Sequence, residues 1–339
     1  MEIVRARGKK TELRRLASRE GEDSVFPLVW YAVMWSKELV QHPIKRTVAG
    51  LDLILFRDQS GIVRCVDACC PHRGADLSLG RIEGGTLRCA YHGWAFDGEG
   101  HCERIPAHPA RSIPEFANLL SYPIQEIAGL VWVYPQANGD VQPSSLEVFP
   151  ELTDVRYVLA PYDAKWQAHF TRTVESVLDV AHLAFVHRKT IGKRLNPEIR
   201  SLDFEVKGRD RIQIKNGGGI LDYIFPQQWL LRPDQGGKQG FINYVTFTPV
   251  NSHKTMIFGY AGRTFLRRVP FVTSMFSHYS LKILEEDRKV VESQRPRPIP
   301  KSMQMEAHVP ADGPQVRFRQ RWYQFLLSDE EKIVLRSRS

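Results

Sequence analysis

Two pairs of cysteine and histidine residues stand close together in the first third of this 339-residue chain. His72 follows Cys70 by two positions, and after sixteen further residues Cys89 is followed three positions later by His92. Two thiolates and two imidazoles at this spacing suit a [2Fe–2S] cluster in which imidazoles replace the thiolates on one iron. A structural zinc ion accepts the same ligand types and is the alternative. The four residues therefore predict a metal centre carried by two loops.

A second group of potential ligands follows about ninety residues later. Glu175, Asp179 and His182 are spaced so that they share one face of a helix. His187 would point about 140° away from His182 on an ideal helix, so both can bind one ion only if the helix ends or distorts near His187. Two imidazoles and one carboxylate form the ligand set of non-haem iron(II) oxygenases. The alternative is that His182 and His187 are ordinary interior residues of an amphipathic helix and bind no metal.

The residues around the first four ligands carry a family resemblance. The segments Cys-Pro-His-Arg-Gly and Cys-Ala-Tyr-His-Gly-Trp resemble the cluster-binding signature of the Rieske family. Ala75 and Tyr91 occupy the places where respiratory-chain members have disulfide-bonded cysteines, so the chain is more similar to the oxygenase and ferredoxin branch. With the Asp-x2-His-x4-His pattern of Asp179, His182 and His187, it resembles the oxygenase component of Rieske non-haem iron oxygenases.

The resemblance implies that His182 and His187 bind a mononuclear Fe(II) together with a carboxylate from far along the chain. An acidic run at positions 285–287 fits this expectation, and the family pattern selects Asp287, with Glu286 and Glu285 as rivals. The alternative is that the run is a solvated helical face with i,i+4 ion pairs.

A catalytic role for Asp179 is also implied by the resemblance. Asp179 would hydrogen-bond His182 of its own subunit and His92 of a neighbour, which gives an electron path across the boundary of a head-to-tail homotrimer. Ser176 stands where the family usually has Asn. This difference leaves the proposed ligands intact and puts only the tuning of the iron in doubt.

The elements that must position these residues are predicted to form an α+β protein. Short alternating runs with Gly-containing breaks indicate an all-β unit, which resembles a Rieske domain over residues 25–140. A catalytic domain over residues 146–339 is predicted to hold an antiparallel sheet flanked by helices, a helix-grip-like arrangement. Its expected helices cover about 167–187 and 278–294, and its expected strands include 204–207, 211–215, 241–248 and 255–260. Residues 1–24 are predicted to be a basic tail.

Composition is that of a soluble globular protein, with 42% hydrophobic and 25% charged residues. No run of eighteen apolar residues is present, so no membrane span is predicted. Five cysteines, an odd number, fit a reducing cytoplasm better than a disulfide framework. The net charge of +9 suits docking of an acidic electron donor, whereas no motif for nucleic acid accompanies it. A flexible solvated tail is the alternative use of the basic residues before position 24.

Together, these features predict that the protein is the terminal oxygenase of a multicomponent system. NAD(P)H electrons would arrive through a separate ferredoxin or flavoprotein reductase, because the chain has no dinucleotide fingerprint. The mononuclear iron would then use O2 to hydroxylate or demethylate a small aromatic or natural-product-like molecule. An apolar pocket is expected between the catalytic sheet and the helix over residues 175–190. The alternatives are a Rieske electron-transfer protein without oxygenase activity and a cis-dihydroxylating dioxygenase.

Overall fold

The computed structural model describes residues 25–109, 112–139, 142–216, 219–234, 240–328 and 331–333. The predicted basic tail over residues 1–24 lies outside the described residues. Among the residues that are described, no helix is both long and apolar enough to cross a membrane.

Within its described residues, the first part of the chain forms ten short strands in three antiparallel sheets. The strands are β1 (Tyr31–Trp35), β2 (Ile44–Val48), β3 (Leu51–Arg57), β4 (Val63–Asp67), β5 (Arg81–Glu83), β6 (Thr86–Arg88), β7 (Ala95–Phe96), β8 (Cys102–Arg104), β9 (Ile124–Ile127) and β10 (Leu130–Val133). Their order in the sheets is β1–β10–β9, β2–β3–β4 and β5–β6–β7–β8.

In the second part, the described residues form one antiparallel sheet of seven strands. Its strands are β11 (Val158–Trp166), β12 (Asp203–Lys207), β13 (Arg211–Asn216), β14 (Gly219–Ile224), β15 (Gln228–Pro233), β16 (Phe241–Asn251) and β17 (Lys254–Arg263). Their order in the sheet is β11–β17–β16–β15–β14–β13–β12. Its helices are α1 (Phe170–Leu178), α2 (Leu183–Val186), α3 (Pro270–Val291) and α4 (Gly313–Leu327). The predicted α+β class, an all-β unit followed by an antiparallel sheet with helices, is confirmed.

The large sheet buries both faces, because its side chains alternate between two apolar layers. On one face, Tyr244 and Phe258 form a core with Trp35 and Trp132 of the all-β part. On the other face, α3 packs over β11 and α1 lies against β16. The all-β part and the helices therefore contact opposite faces of the same sheet.

Two departures from the sequence prediction have local physical causes. The helix expected over 167–187 ends at Leu178, because Asp179 takes extended backbone angles and its Oδ1 accepts the backbone N–H of Ala181 at 2.8 Å. Aspartate competes in this way with the helical hydrogen bonds. Strand β11 was not predicted because Pro161 interrupts its pattern, but Pro161 is tolerated because β11 is an edge strand.

A buried ring of charges fixes α1 against α4. Glu175 of α1 pairs with Arg172 at 3.1 Å and with Arg319 of α4. Glu306, in the segment before α4, pairs with Arg172 at 2.6 Å and with Arg319 at 2.7 Å. Because both arginines and Glu175 are buried, each charge needs these partners.

We expect this ring to make the free energy of unfolding depend on pH in the acidic range. Burial raises the pKa of Glu306, but Arg172 and Arg319 outweigh burial and lower it to about 2. The stabilisation is therefore complete above the unfolded-state pKa of about 4.5 and is lost as the pH falls towards about 2. Glu306→Gln should lower the free energy of unfolding at neutral pH, and its deficit from the wild type should shrink below about pH 4.5.

Urea denaturation at neutral pH and at about pH 4 measures this deficit. Glu198→Gln, a change of the same type at an exposed position, is the matched control and should differ little from the wild type at either pH. A Glu306→Gln deficit that stays constant with pH would contradict the role of the ring.

Candidate metal centres

The two loops that carry the first four candidate ligands are built alike. In each loop a glycine four residues after the cysteine donates its N–H back to the cysteine carbonyl: Gly74 to Cys70 at 2.9 Å and Gly93 to Cys89 at 3.0 Å. Both glycines have positive φ, +71° and +70°, which a residue with a side chain adopts only at a cost. The tight turns bring each histidine back beside its cysteine.

The side chains of these loops converge on one place. Cys70 and Cys89 are buried and interact with each other, and burial raises the pKa of Cys70 to about 12. The Nδ1 atoms of His72 and His92 are 3.2 Å apart, and the ring of Trp94 stacks on His72. Two interior sulfurs and two outer nitrogens that face a common point fit the donor set of a [2Fe–2S] cluster with mixed ligands.

The second group of candidate ligands also converges. His182 Nε2 and His187 Nε2 are 3.3 Å apart, and both approach Asp287 Oδ1, at 3.4 Å and 3.0 Å. Within the described residues, these three are the group whose ligand atoms lie close enough together to hold one metal ion. The helix break at Asp179 makes this possible, because the two histidines flank the short helix α2 instead of pointing 140° apart.

Each of these histidines has a carboxylate beside its other ring nitrogen. Glu286 lies 2.8 Å from His187 Nδ1 and also accepts a hydrogen bond from Thr190 Oγ1 at 2.6 Å. Asp179 Oδ1 lies 3.9 Å from His182 Nδ1, which is an ion-pair distance beyond a normal hydrogen bond. A carboxylate behind a metal-binding imidazole fixes the ring orientation and makes Nε2 a better ligand.

The electrostatics of this group favour a cation. Burial disfavours the charged imidazole of His182, but contacts with Asp179 and Asp287 outweigh burial and raise its pKa to about 9. Burial disfavours the charged carboxylate of Asp287 as well, but His182 and His187 outweigh burial and lower the pKa of Asp287 below its usual value. Two imidazoles and nearby carboxylates in a partly buried place fit a divalent metal such as Fe(II), which would replace the protons.

The rival ligands predicted from the sequence lie elsewhere. Glu286 faces Nδ1 of His187, the nitrogen away from Asp287, and Glu285 pairs with Arg288 on the exposed side of α3. The Ser176 hydroxyl is turned back on its own helix and donates to the Thr173 carbonyl at 2.9 Å. The geometry therefore groups only Asp287 of the acidic run with the two histidines.

A depression with a volume of about 560 Å³ opens beside the histidines. It is lined by charged residues, among them Asp179, Arg172 and Arg319, and it differs from the apolar pocket that the sequence predicted. Sequence reasoning also missed Thr190, Glu306 and both arginines. Arg172 stands three residues before Glu175, which is a local spacing, but the other partners of these residues come from distant elements.

Family models match both parts of the chain. The model of the Rieske [2Fe-2S] domain matches residues 29–123, which include both cysteine–histidine loops. The model of the vanillate O-demethylase oxygenase C-terminal domain matches residues 166–215 and 225–327, which include Asp179, His182, His187 and Asp287. The first match supports a [2Fe–2S] cluster over the zinc alternative.

Curated relatives and solved structures agree with these matches. The chain is 30% identical to Protein TIC 55, chloroplastic, of Arabidopsis thaliana, over 78% of this chain and 52% of that protein. It is 31% identical to the 4beta-methylsterol monooxygenase of Methylococcus capsulatus, over 68% and 66%. Dicamba monooxygenase has a similar fold, with a TM-score of 0.76 at 24% identity over 89% of this chain and 98% of that one. The chain thus spans about half to two thirds of these two curated relatives.

We predict that His182→Ala removes the mononuclear metal and spares the cluster. Iron should fall from about three to about two atoms per chain, because one of three converging ligands is lost while the cysteine–histidine loops are untouched. Iron and acid-labile sulfide analysis with visible absorption measures this change. His253→Ala, at an exposed turn, is the control and should keep all the iron. Loss of cluster absorbance in His182→Ala would contradict the assignment.

The neighbouring glutamates Glu285 and Glu286 should differ in their effect on metal affinity. Glu286→Gln should keep the fold and weaken Fe(II) or Co(II) affinity about 10- to 100-fold, because the carboxylate behind His187 loses its charge. Chelator competition on protein stripped of the mononuclear metal measures the affinity. Glu285→Gln is the matched control one residue away and should bind like the wild type. Equal affinities in the two variants would remove Glu286 from any role at the metal.

Proposed function

The chain belongs to the Rieske oxygenases, and on that premise we propose that it is the terminal oxygenase component of a multicomponent system. The observation that carries this proposal is the convergence of His182, His187 and Asp287, with a carboxylate behind each histidine. A protein that only carries electrons needs the cluster and has no use for a second metal centre downstream of it.

The chain's own residues divide the work between two centres. Cys70, Cys89, His72 and His92 hold the cluster, and its imidazoles lie nearer the surface than its sulfurs. His182, His187 and Asp287 hold Fe(II), leaving coordination positions open. When bound, the iron activates O2 with electrons that arrive from the cluster, and oxidises an organic substrate.

The proposed substrate is a small organic molecule, aromatic or natural-product-like, that is hydroxylated or oxidatively demethylated. Two similar proteins are a 4beta-methylsterol monooxygenase and a dicamba monooxygenase, and they favour insertion of one oxygen atom. A 3-chlorobenzoate-3,4-dioxygenase subunit is 34% identical over 47% of this chain, so cis-dihydroxylation is the second candidate. Product analysis with labelled O2 separates the two reactions.

Asp179 is proposed to join two subunits of a head-to-tail homotrimer. Its side chain keeps 34% of its surface exposed and lines the charged depression next to His182. His92 is exposed on the cluster loops, and the apolar side chains of Leu79, Tyr91 and Phe116 are exposed in the same part of the chain. In a trimer, His92 of a neighbour would donate a hydrogen bond to Asp179, which would hold both imidazoles along the electron path.

The electron donor is proposed to be a ferredoxin or a flavoprotein reductase that takes electrons from NAD(P)H. The net charge of +9 favours encounter with an acidic protein of this kind. The five cysteines are all free, which suits a reducing compartment such as the cytoplasm.

Metal analysis on anaerobically purified protein tests the proposed function. About three irons and two sulfides per chain, a Rieske EPR signal after dithionite reduction and consumption of O2 by the reduced protein are expected. About two irons, no gain of iron on add-back and no O2 consumption would leave an electron-transfer protein. A colourless protein loaded with zinc would overturn the proposal.

We expect Asp179→Asn to slow electron transfer without removing either metal. The neutral amide cannot stabilise two imidazole N–H groups as a carboxylate does, so reoxidation of the reduced cluster by O2 should slow about tenfold or more. Stopped-flow absorbance of the cluster measures the rate, and iron analysis checks both sites. Asp203→Asn, at an exposed pair with Lys215, is the control. An unchanged rate in Asp179→Asn would contradict the bridging role.

A further inference from the structure

One surface of the catalytic part is both apolar and basic. Along helix α3, Phe271, Met275 and Tyr279 stand four residues apart, and each is between 43% and 71% exposed. At about 100° per residue, these three side chains and Glu286 fall within an arc of about 80° on the helix surface. They form a stripe that is open to solvent, and large apolar side chains grouped in this way mark an interaction site.

The C-terminal end of this stripe meets a second exposed segment, residues 185–200. Glu286 accepts a hydrogen bond from Thr190 Oγ1 at 2.6 Å, which ties the segment to α3. Within the segment, three large apolar side chains are between 44% and 64% exposed: Phe185, Ile191 and Leu195. The stripe and the segment therefore form one surface, which we call the basic–apolar surface.

The positive charge of this surface comes from the segment. Residues 185–200 contain five basic side chains and one acidic side chain, so their net charge is five minus one, or +4. Two acids of α3, Glu285 and Glu286, already have partners in Arg288 and His187. The five basic side chains are all exposed, and none has an ion-pair partner among the described residues: Arg188, Lys189, Lys193, Arg194 and Arg200. This charge is therefore left for an external partner.

The segment is a compact turn that needs no partner to hold its shape. The N–H groups of Thr190 and Gly192 donate to the His187 carbonyl at 2.9 Å and 3.0 Å. A Cβ atom at Gly192 would clash with the carbonyl oxygen of Leu183, so the chain folds back directly onto α2. A surface that is already formed loses little conformational entropy when it docks.

A lipid surface suits these features better than a protein does. A protein partner would need an apolar groove for the stripe and acidic groups placed opposite several separate basic side chains. The interface of an anionic bilayer supplies apolar depth and negative charge at every point of its plane. A second copy of the chain would bring further positive charge, because Arg73 and Arg104 are exposed in its all-β part.

We propose that the basic–apolar surface docks the protein on membranes that contain anionic phospholipids. Phe271 and Met275 of α3 and Leu195 of the segment enter the boundary between headgroups and acyl chains, and the basic side chains bind lipid phosphates. The docking is peripheral and needs no membrane-spanning element. It also requires neither metal centre, so the proposal goes beyond the oxygenase function and does not depend on it.

Sedimentation with sucrose-loaded vesicles tests the proposal on the full iron-loaded chain. Vesicles of equal parts phosphatidylglycerol and phosphatidylcholine should bind the protein about tenfold or more tightly than vesicles of phosphatidylcholine alone. Rising salt should weaken this binding, because exposed charges are screened. No binding to the anionic vesicles, or equal binding to both kinds, would overturn the proposal.

Matched lysine variants test the contribution of charge. The double change Lys189→Gln and Lys193→Gln should weaken binding to anionic vesicles about 25-fold, at about fivefold for each charge removed. The control makes the same change at two exposed lysines outside the surface, Lys37→Gln in the all-β part and Lys165→Gln on β11, and should bind nearly like the wild type. Equal losses in the two pairs would mean that net charge alone acts, which would overturn the assigned surface.

Serine substitutions test the contribution of the apolar side chains. Phe271→Ser and Leu195→Ser should each weaken binding to anionic vesicles about tenfold, because a large apolar side chain no longer enters the interface. Leu327→Ser, at an exposed leucine that ends α4, is the control and should bind like the wild type. Unchanged binding in both Phe271→Ser and Leu195→Ser would contradict insertion and overturn the proposal.

Analytical ultracentrifugation without lipid tests the other occupant, a second copy of the chain. A lower mass of Phe271→Ser than of the wild type would assign the surface to contacts between copies and overturn the proposal. An unchanged mass is expected.

The outcome is separable from that of the oxygenase proposal, because iron content and O2 consumption should stay at the wild-type level in all of these variants. O2 consumption without vesicle binding removes the docking surface and leaves the oxygenase standing. Vesicle binding that depends on Phe271 and Lys193, in a protein that consumes no O2, supports the docking surface and removes the oxygenase.

Discussion

One oxygen atom of Asp287 lies within 3.4 Å of Nε2 of both His182 and His187, and much of the catalytic part of the fold serves this arrangement. The two histidines are five residues apart, so a continuous helix would hold them on different sides. Asp179 resolves the conflict by ending α1, and the short helix α2 then returns His187 to the same point. The same aspartate lies beside His182, so one residue both breaks the helix and faces the ligand.

The break between α1 and α2 is supported by contacts on both sides. Helix α1 is fixed against α4 by the ring of Arg172, Glu175, Arg319 and Glu306, which ends one turn before Asp179. On the other side, Glu286 lies at Nδ1 of His187, and Thr190 donates a hydrogen bond to the same Glu286 oxygen. A buried ion pair adds little stability compared with apolar side chains of the same volume, although removal of one partner is costly. Such pairs also specify one geometry, and a ligand site depends on geometry.

The parts of this structure that the sequence could predict are those in which local spacing carries the information. Both cysteine–histidine loops, the Asp179–His182–His187 run and four strands of the large sheet follow short patterns. Asp287 was distinguished from Glu286 only through a family pattern, and the structure adds the reason: the two side chains face different nitrogens of His187. In the charge ring, the pairs Glu175–Arg319 and Arg172–Glu306 join residues 144 and 134 positions apart, and no local pattern reports such contacts.

The electrostatics of the second centre argue for a bound cation more strongly than its ligand types do. Asp287, Glu286 and Asp179 all lie beside two imidazoles in a partly buried place. Without an ion, contacts with Asp179 and Asp287 outweigh burial and raise the pKa of His182, so a proton on this imidazole offsets part of the negative charge. A divalent metal held at Nε2 would displace protons from the imidazoles and neutralise the carboxylates, and Glu286 and Asp179 would still face the Nδ1 side of the rings. A histidine pair kept only for packing would need no carboxylate on either side of its rings. An electron carrier would gain nothing from the cost of burying these charges, which is why the arrangement favours a second, reactive iron.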